Sequence, residues 1–101
     1  MAEDTLEVNV SYFGSIRVAA NKSDEIATLN TGTTLYRLLR DLSEVYGTGF
    51  EDEIFIECGN LLREDVLLTV NEKVVTHNNI TELTLMPGDK LALFPVFPGG
   101  G

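Results

Sequence analysis

The sequence predicts an α+β chain, a mixed sheet of about five strands with one main helix packed on one face. Three observations predict it. Leu6 to Phe13 alternate apolar and polar side chains, the period of a half-buried strand. From Leu35 the apolar residues Leu35, Leu38, Leu39, Leu42, Val45 and Tyr46 follow the i, i+3, i+4, i+7 spacing of a helix with one buried stripe. Several short strand candidates follow, ending in Lys90-Leu91-Ala92-Leu93-Phe94, and strands gathered around a single helix are an α+β pattern.

Taken in order, the first strand places Leu6, Val8, Val10 and Tyr12 on one face and stops at Gly14. Ser15 to Ala20 fits either a helical turn or a loop. Glu25 to Leu29 is a second short strand returning beside the first. Thr31, Thr33 and Thr34 supply hydroxyls able to cap the helix that follows. On its exposed side Arg37–Asp41 and Arg40–Glu44 stand at i, i+4, and Gly47 is a natural stop. Glu51-Asp52-Glu53 is expected to be a solvated acidic turn.

Ile54 to Ile56 and Leu61 to Arg63 flank Glu57-Cys58-Gly59-Asn60 as a hairpin, and Asn71-Glu72-Lys73 joins Leu67–Val70 to Val74-Val75 as a second. Pro87-Gly88 suits the centre of a type II turn ahead of the last strand. The expected core sets Leu35, Leu38, Leu39 and Leu42 against Val8, Val10, Val70 and Leu93. Each large side chain fully buried there contributes roughly 1.5–3 kcal/mol.

A length of 101 residues suffices for one domain with one modest core, and 44% hydrophobic residues is an ordinary globular value. Residues 1–95 form the expected domain and residues 96–101 a flexible tail. The net charge of −9, from 16 acids against 7 bases, argues against nucleic acid and anionic membranes as partners. It favours steering toward a basic protein surface. The single cysteine, Cys58, excludes an internal disulfide. With no leader-like N-terminus and no stretch of membrane-spanning length, the expected location is the cytoplasm.

The last eight residues, Phe94-Pro95-Val96-Phe97-Pro98-Gly99-Gly100-Gly101, are the stretch expected to carry the chemistry. Its prolines cannot extend a hydrogen-bonded ladder, and its glycines remove every side chain from the end, so a backbone of this kind enters slots too narrow for other residues. A glycine run by itself is a weak motif, shared by frayed and appended termini. What it offers is the α-carboxylate, ionised at neutral pH with a pKa of about 3.5 and a poor electrophile until an oxygen is made a leaving group.

Val10 to Arg17, Val70 to Val74, and Pro87-Gly88-Asp89-Lys90-Leu91-Ala92-Leu93-Phe94-Pro95 with the closing glycines resemble the MoaD/ThiS family of sulfur carriers, and in particular the small subunit of molybdopterin synthase. The resemblance implies a β-grasp, ubiquitin-like fold. It implies that the protein is no enzyme, binds no cofactor and serves as substrate of an adenylating enzyme of MoeB/ThiF type, which spends Mg-ATP to make a C-terminal acyl-adenylate. A sulfur donor then leaves a thiocarboxylate, and a client, a MoaE-like large subunit, takes the sulfur.

Carried onto this chain, the activated residue is Gly101, or Gly100 once a protease has removed Gly101, with Gly99 and Pro98 in the inserted tail. Phe94, Pro95, Phe13, Phe97 and Arg17 match partner-facing positions. Molybdopterin synthesis is the leading destination for the sulfur. Thiamine thiazole, cysteine and tRNA thiolation are alternatives, as are a protein modifier joined to lysines through the terminal glycine and a plain binding module. His77 in a polar loop, Cys58 in a turn and the acidic run at residues 51–53 suit surface and turn roles better than catalytic or metal-binding ones.

Overall fold

The computed structural model describes residues 4–56 and 61–96. Strand β1 (Thr5–Tyr12) leads into helix α1 (Gly14–Ala20), and strand β2 (Asp24–Asn30) returns antiparallel to β1, with Val8 opposite Ala27 and Leu6 opposite Leu29. Helices α2 (Leu35–Tyr46) and α3 (Thr48–Ile54) follow. The short strands β3 (Phe55–Ile56) and β4 (Leu61–Leu62) pair antiparallel as the hairpin reading requires, its turn lying outside the described residues. Strands β5 (Val66–Val70), β6 (Lys73–Val75) and β7 (Lys90–Pro95) complete a five-stranded sheet in the order β2-β1-β7-β5-β6. Strand β7 lies between β1, parallel to it, and β5, antiparallel. This is the mixed sheet expected of a β-grasp.

The alternation in β1 buries Leu6, Val8, Val10 and Tyr12, and they share one core with Leu35, Leu38, Leu39 and Leu42 of α2 and with Leu68, Leu91 and Leu93. Val70 only packs against the rim of that core. Thr34 caps α2, its hydroxyl accepting from the Arg37 N–H at 3.2 Å. The Leu35 and Tyr36 N–H groups, which have no partner within the helix, donate to the carbonyls of Leu83 and Ile80 at 2.9 and 3.0 Å.

Val45 departs from the expected stripe. It lies at the edge of the stripe and is 71% exposed, while Ser43 on the other edge is buried and donates its hydroxyl to the Leu39 carbonyl. Arg37 pairs with Asp41 as expected, but Arg40 reaches past Glu44 to Glu51 at 2.7 Å and lies over the Phe55 ring.

The acidic run is not a turn. Phe50 and Ile54, four apart, are both fully buried and draw the segment into α3, with Glu51 in the first turn where the helix dipole favours an acid. Two-residue chemistry also sets the β5–β6 hairpin. Asn71 and Glu72 both take positive φ, 54° and 73°, the type I′ pattern, and Lys73 already belongs to β6.

Candidate functional site: the root of the C-terminal tail

Two of the short motifs meet at the start of β7. Gly88 takes φ 83°, and Asp89 donates its N–H to the Met86 carbonyl at 3.1 Å, closing the turn expected of Pro87-Gly88. The Asp89 carboxylate accepts from the Met86 N–H at 2.8 Å and from the Asn71 side-chain amide at 2.9 Å. Asn71 also accepts from the Lys90 N–H and donates its own N–H to the Lys90 carbonyl. The Asp89 carbonyl receives the Asn9 N–H at 2.9 Å. One asparagine and one aspartate thus set the register of β7 against both neighbours.

At the other end of β7 the ladder with β1 stops for a definite reason. Tyr12 stands opposite Leu93, and the Phe13 N–H donates to the Leu93 carbonyl at 3.2 Å. The next bond of a parallel ladder would run from the amide of residue 95 to the Phe13 carbonyl, and Pro95 has no N–H to give. The Phe13 carbonyl accepts instead from Ile16 and Arg17 and opens α1. Toward β5 the strand goes further than its proline suggests. Pro95 remains opposite Val66, and the Val96 N–H donates to the Asp65 carbonyl at 2.7 Å. The strand therefore ends at Pro95, one residue beyond the expected Phe94.

The solvent face here is aromatic. Leu91 and Leu93 point into the core, so Phe94 points outward, where its ring stacks on Phe13 with centroids 4.4 Å apart and planes 11° apart. Phe13 is 41% exposed and Phe94 half-buried, so both present ring surface rather than serve as core. Arg17 is exposed on α1, with no ion pair among the described residues. Pro95 packs against Gly14. The structure therefore joins Phe13, Phe94 and Pro95 at one corner and sets Arg17 on the helix that leaves it. Phe97, Pro98, Gly99, Gly100 and Gly101, like Cys58, lie outside the described residues.

On the far side of the tail root a groove of about 470 Å³ is lined by Ile56, Arg63, Glu64, Asp65 and Val96. Arg63 holds Asp65 by two parallel bonds of 2.9 and 3.1 Å, and that guanidinium keeps the Asp65 carboxyl below the usual carboxylate range. Sequence reasoning did not connect this groove with the tail, because only the pairing of β5 with β7 brings Asp65 beside Val96. His77 has a ladder role. It would stand opposite Val66 if β6 continued, and its Nε2 lies 2.8 Å from the Val66 carbonyl, where a strand N–H would otherwise donate. Among the described residues no group of His, Cys, Asp and Glu could hold a metal, and no helix is long and apolar enough to cross a membrane.

Comparison with known proteins gives the same architecture. The ThiS family model matches residues 10–100. The crystal structure of SAMP1 from Haloferax volcanii superposes with a TM-score of 0.77 at 20% identity, covering 93% of this chain and 99% of that one. A putative molybdopterin converting factor, subunit 1, from Pyrococcus furiosus gives 0.71 at 26% identity, covering 91% and 99%. Urm1 from Trypanosoma brucei gives 0.76 at 20% identity, covering 98% and 100%. No curated protein sequence matches the chain.

Proposed function

Because the chain belongs to the ThiS family of ubiquitin-like sulfur carriers and modifiers, we propose that it carries sulfur as a C-terminal thiocarboxylate, most directly for molybdopterin synthesis. The observation that carries this reading is the tail root. A central strand ends beside an exposed aromatic stack, and the matched span takes in Gly99 and Gly100. Likeness to the Pyrococcus furiosus protein, named a putative molybdopterin converting factor, supports that destination for the sulfur.

The chemistry asks little of the carrier. A terminal carboxylate oxygen attacks the α-phosphorus of Mg-ATP held by an adenylating enzyme of MoeB/ThiF type, and pyrophosphate leaves. The outer sulfur of a persulfide donor then attacks the acyl carbon and AMP departs, leaving an acyl disulfide. A thiol attacks the donor's sulfur in that S–S bond, freeing the thiocarboxylate and leaving the donor in a disulfide with the thiol. Gly101 is the activated residue in the chain as it stands, or Gly100 after proteolysis. Phe13, Phe94 and Pro95 contribute docking surface to the activator and then to a MoaE-like client, with Arg17 at its margin and Phe97 a further partner contact.

Intact-mass measurement of the protein isolated from its host tests this. The expected mass shows one oxygen replaced by sulfur at the terminus, and removal of residues 99–101 abolishes it. Lysine-linked adducts without any thiocarboxylate would place the chain among protein modifiers instead.

A further inference from the structure

We propose that Gly14 is a positioning residue for the root of the tail: its bare Cα is the seat on which the Pro95 ring rests, and this contact sets the direction in which the chain leaves β7. The inference rests on the carrier reading above. Gly14 takes φ +58°, and a Cβ there would lie 2.5 Å from Pro95 Cγ, closer than real Cβ contacts come, and a tight 3.2 Å from Cδ. One of the two partners would have to move.

The corner is the fixed partner. Ile16, two residues on, is fully buried, and Ser15 donates its hydroxyl to Glu53 of α3 at 2.6 Å. Phe13 is held by its N–H on Leu93 and by its ring on Phe94. The end of β7 is the weaker partner, since among the described residues beyond Phe94 it keeps no backbone bond to β1 and is held by the Val96–Asp65 bond on its other edge. A side chain at position 14 therefore pushes Pro95 outward and loads that one bond. The point at which the chain leaves β7 is thereby re-aimed, and misplacement of a reacting group by about 1 Å can cost up to about a hundredfold in rate.

The test uses the full-length chain with the adenylating enzyme of its own host, read by ATP–pyrophosphate exchange, together with amide hydrogen exchange of the carrier alone. Gly14→Ala is expected to lower kcat about tenfold or more with KM changed less than about twofold, because the body still docks while the root of the tail is misaimed. It is also expected to strip protection from the Val96 amide while Leu91 and Leu93 keep theirs. Gly14→Asn, which tolerates positive φ but keeps the clash, should behave like Ala. In a Pro95→Ala background, where the ring is gone, Gly14→Ala should cause no further loss of kcat.

Unchanged kcat and unchanged Val96 protection in Gly14→Ala would overturn the inference, and so would an equal loss in the Pro95→Ala background. Should Gly14→Ala fail to fold, Pro95→Gly empties the same contact from the other side and carries the same two expectations, with retention of both overturning it. A wild-type chain inert in exchange would count against the carrier reading, while the Val96 amide would still decide the role of Gly14.

Discussion

Glu25 ties together three elements through one carboxylate. Oε2 accepts the hydroxyls of Tyr12 in β1 and, at 2.5 Å, of Tyr46 in α2, while Lys22 lies 3.4 Å from Oε1 and over the Tyr46 ring. Burial alone would push this carboxyl up, but the two hydroxyls and the Lys22 charge outweigh it and hold Glu25 below its ordinary value. Burial, and then the bond to Glu25, raises the Tyr12 hydroxyl, so it stays a donor. A carboxylate with a lowered folded pKa stabilises the fold above its unfolded value, near about 4.3, and that contribution is lost as pH falls through the folded value. Glu25→Gln should lower stability at pH 7 by about 1–3 kcal/mol and flatten the acid limb of the stability profile below roughly pH 4, both read by urea melts across pH. An unaltered acid limb would show that Glu25 is not its source. None of this was legible in the sequence, because Tyr12 satisfied the strand pattern as an apolar residue and Tyr46 ended a helical stripe. Nothing in either pattern joins residues 21 apart.

At the scale of elements, period was the informative signal and its failures are local. The faces of β1 and α2 followed from spacing, and the Thr34 cap from residue type. Thr34→Ala should cost about 1 kcal/mol in thermal or urea melts, with the Leu35 and Tyr36 N–H groups still capped by the carbonyls of Leu83 and Ile80 from the segment between β6 and β7. Helix α3 went unread because two apolar residues amid acids are too few to display a period, although the four-residue spacing of Phe50 and Ile54 was its trace. The ion pair of Arg40 with Glu51 depends on how α2 and α3 pack, so helical spacing alone named the wrong acid. The candidate site divides in the same way. Phe13, Phe94 and Pro95 were named from motif likeness, but their stacking and the Gly14 contact exist only because β7 inserts parallel to β1. Phe94→Glu puts a charge on that stack where no core is disturbed. It should weaken binding to the activating enzyme by about tenfold or more in titration calorimetry while leaving the melting midpoint within a few degrees. Unchanged binding would remove the aromatic face from the interface.

For the molecule as a whole, charge and topology act on different steps. A net charge of −9 on 101 residues steers encounter with a basic partner, and steering is screened over about 8–10 Å at physiological salt. Association with the activating enzyme should therefore slow several-fold between roughly 20 and 200 mM salt, with dissociation little changed, in stopped-flow measurements. A salt-independent association rate would assign the acids to solubility alone.

Topology matters once the partner has captured the chain. The tail continues a strand hydrogen-bonded on both edges in the middle of the sheet, parallel to one neighbour and antiparallel to the other. A tug along the terminus is then resisted by two ladders loaded in shear, many bonds sharing the strain at once, whereas an edge strand would be held by one ladder alone. A partner that draws the glycines into a tight channel, and later withdraws, pulls on a strand anchored along both of its edges.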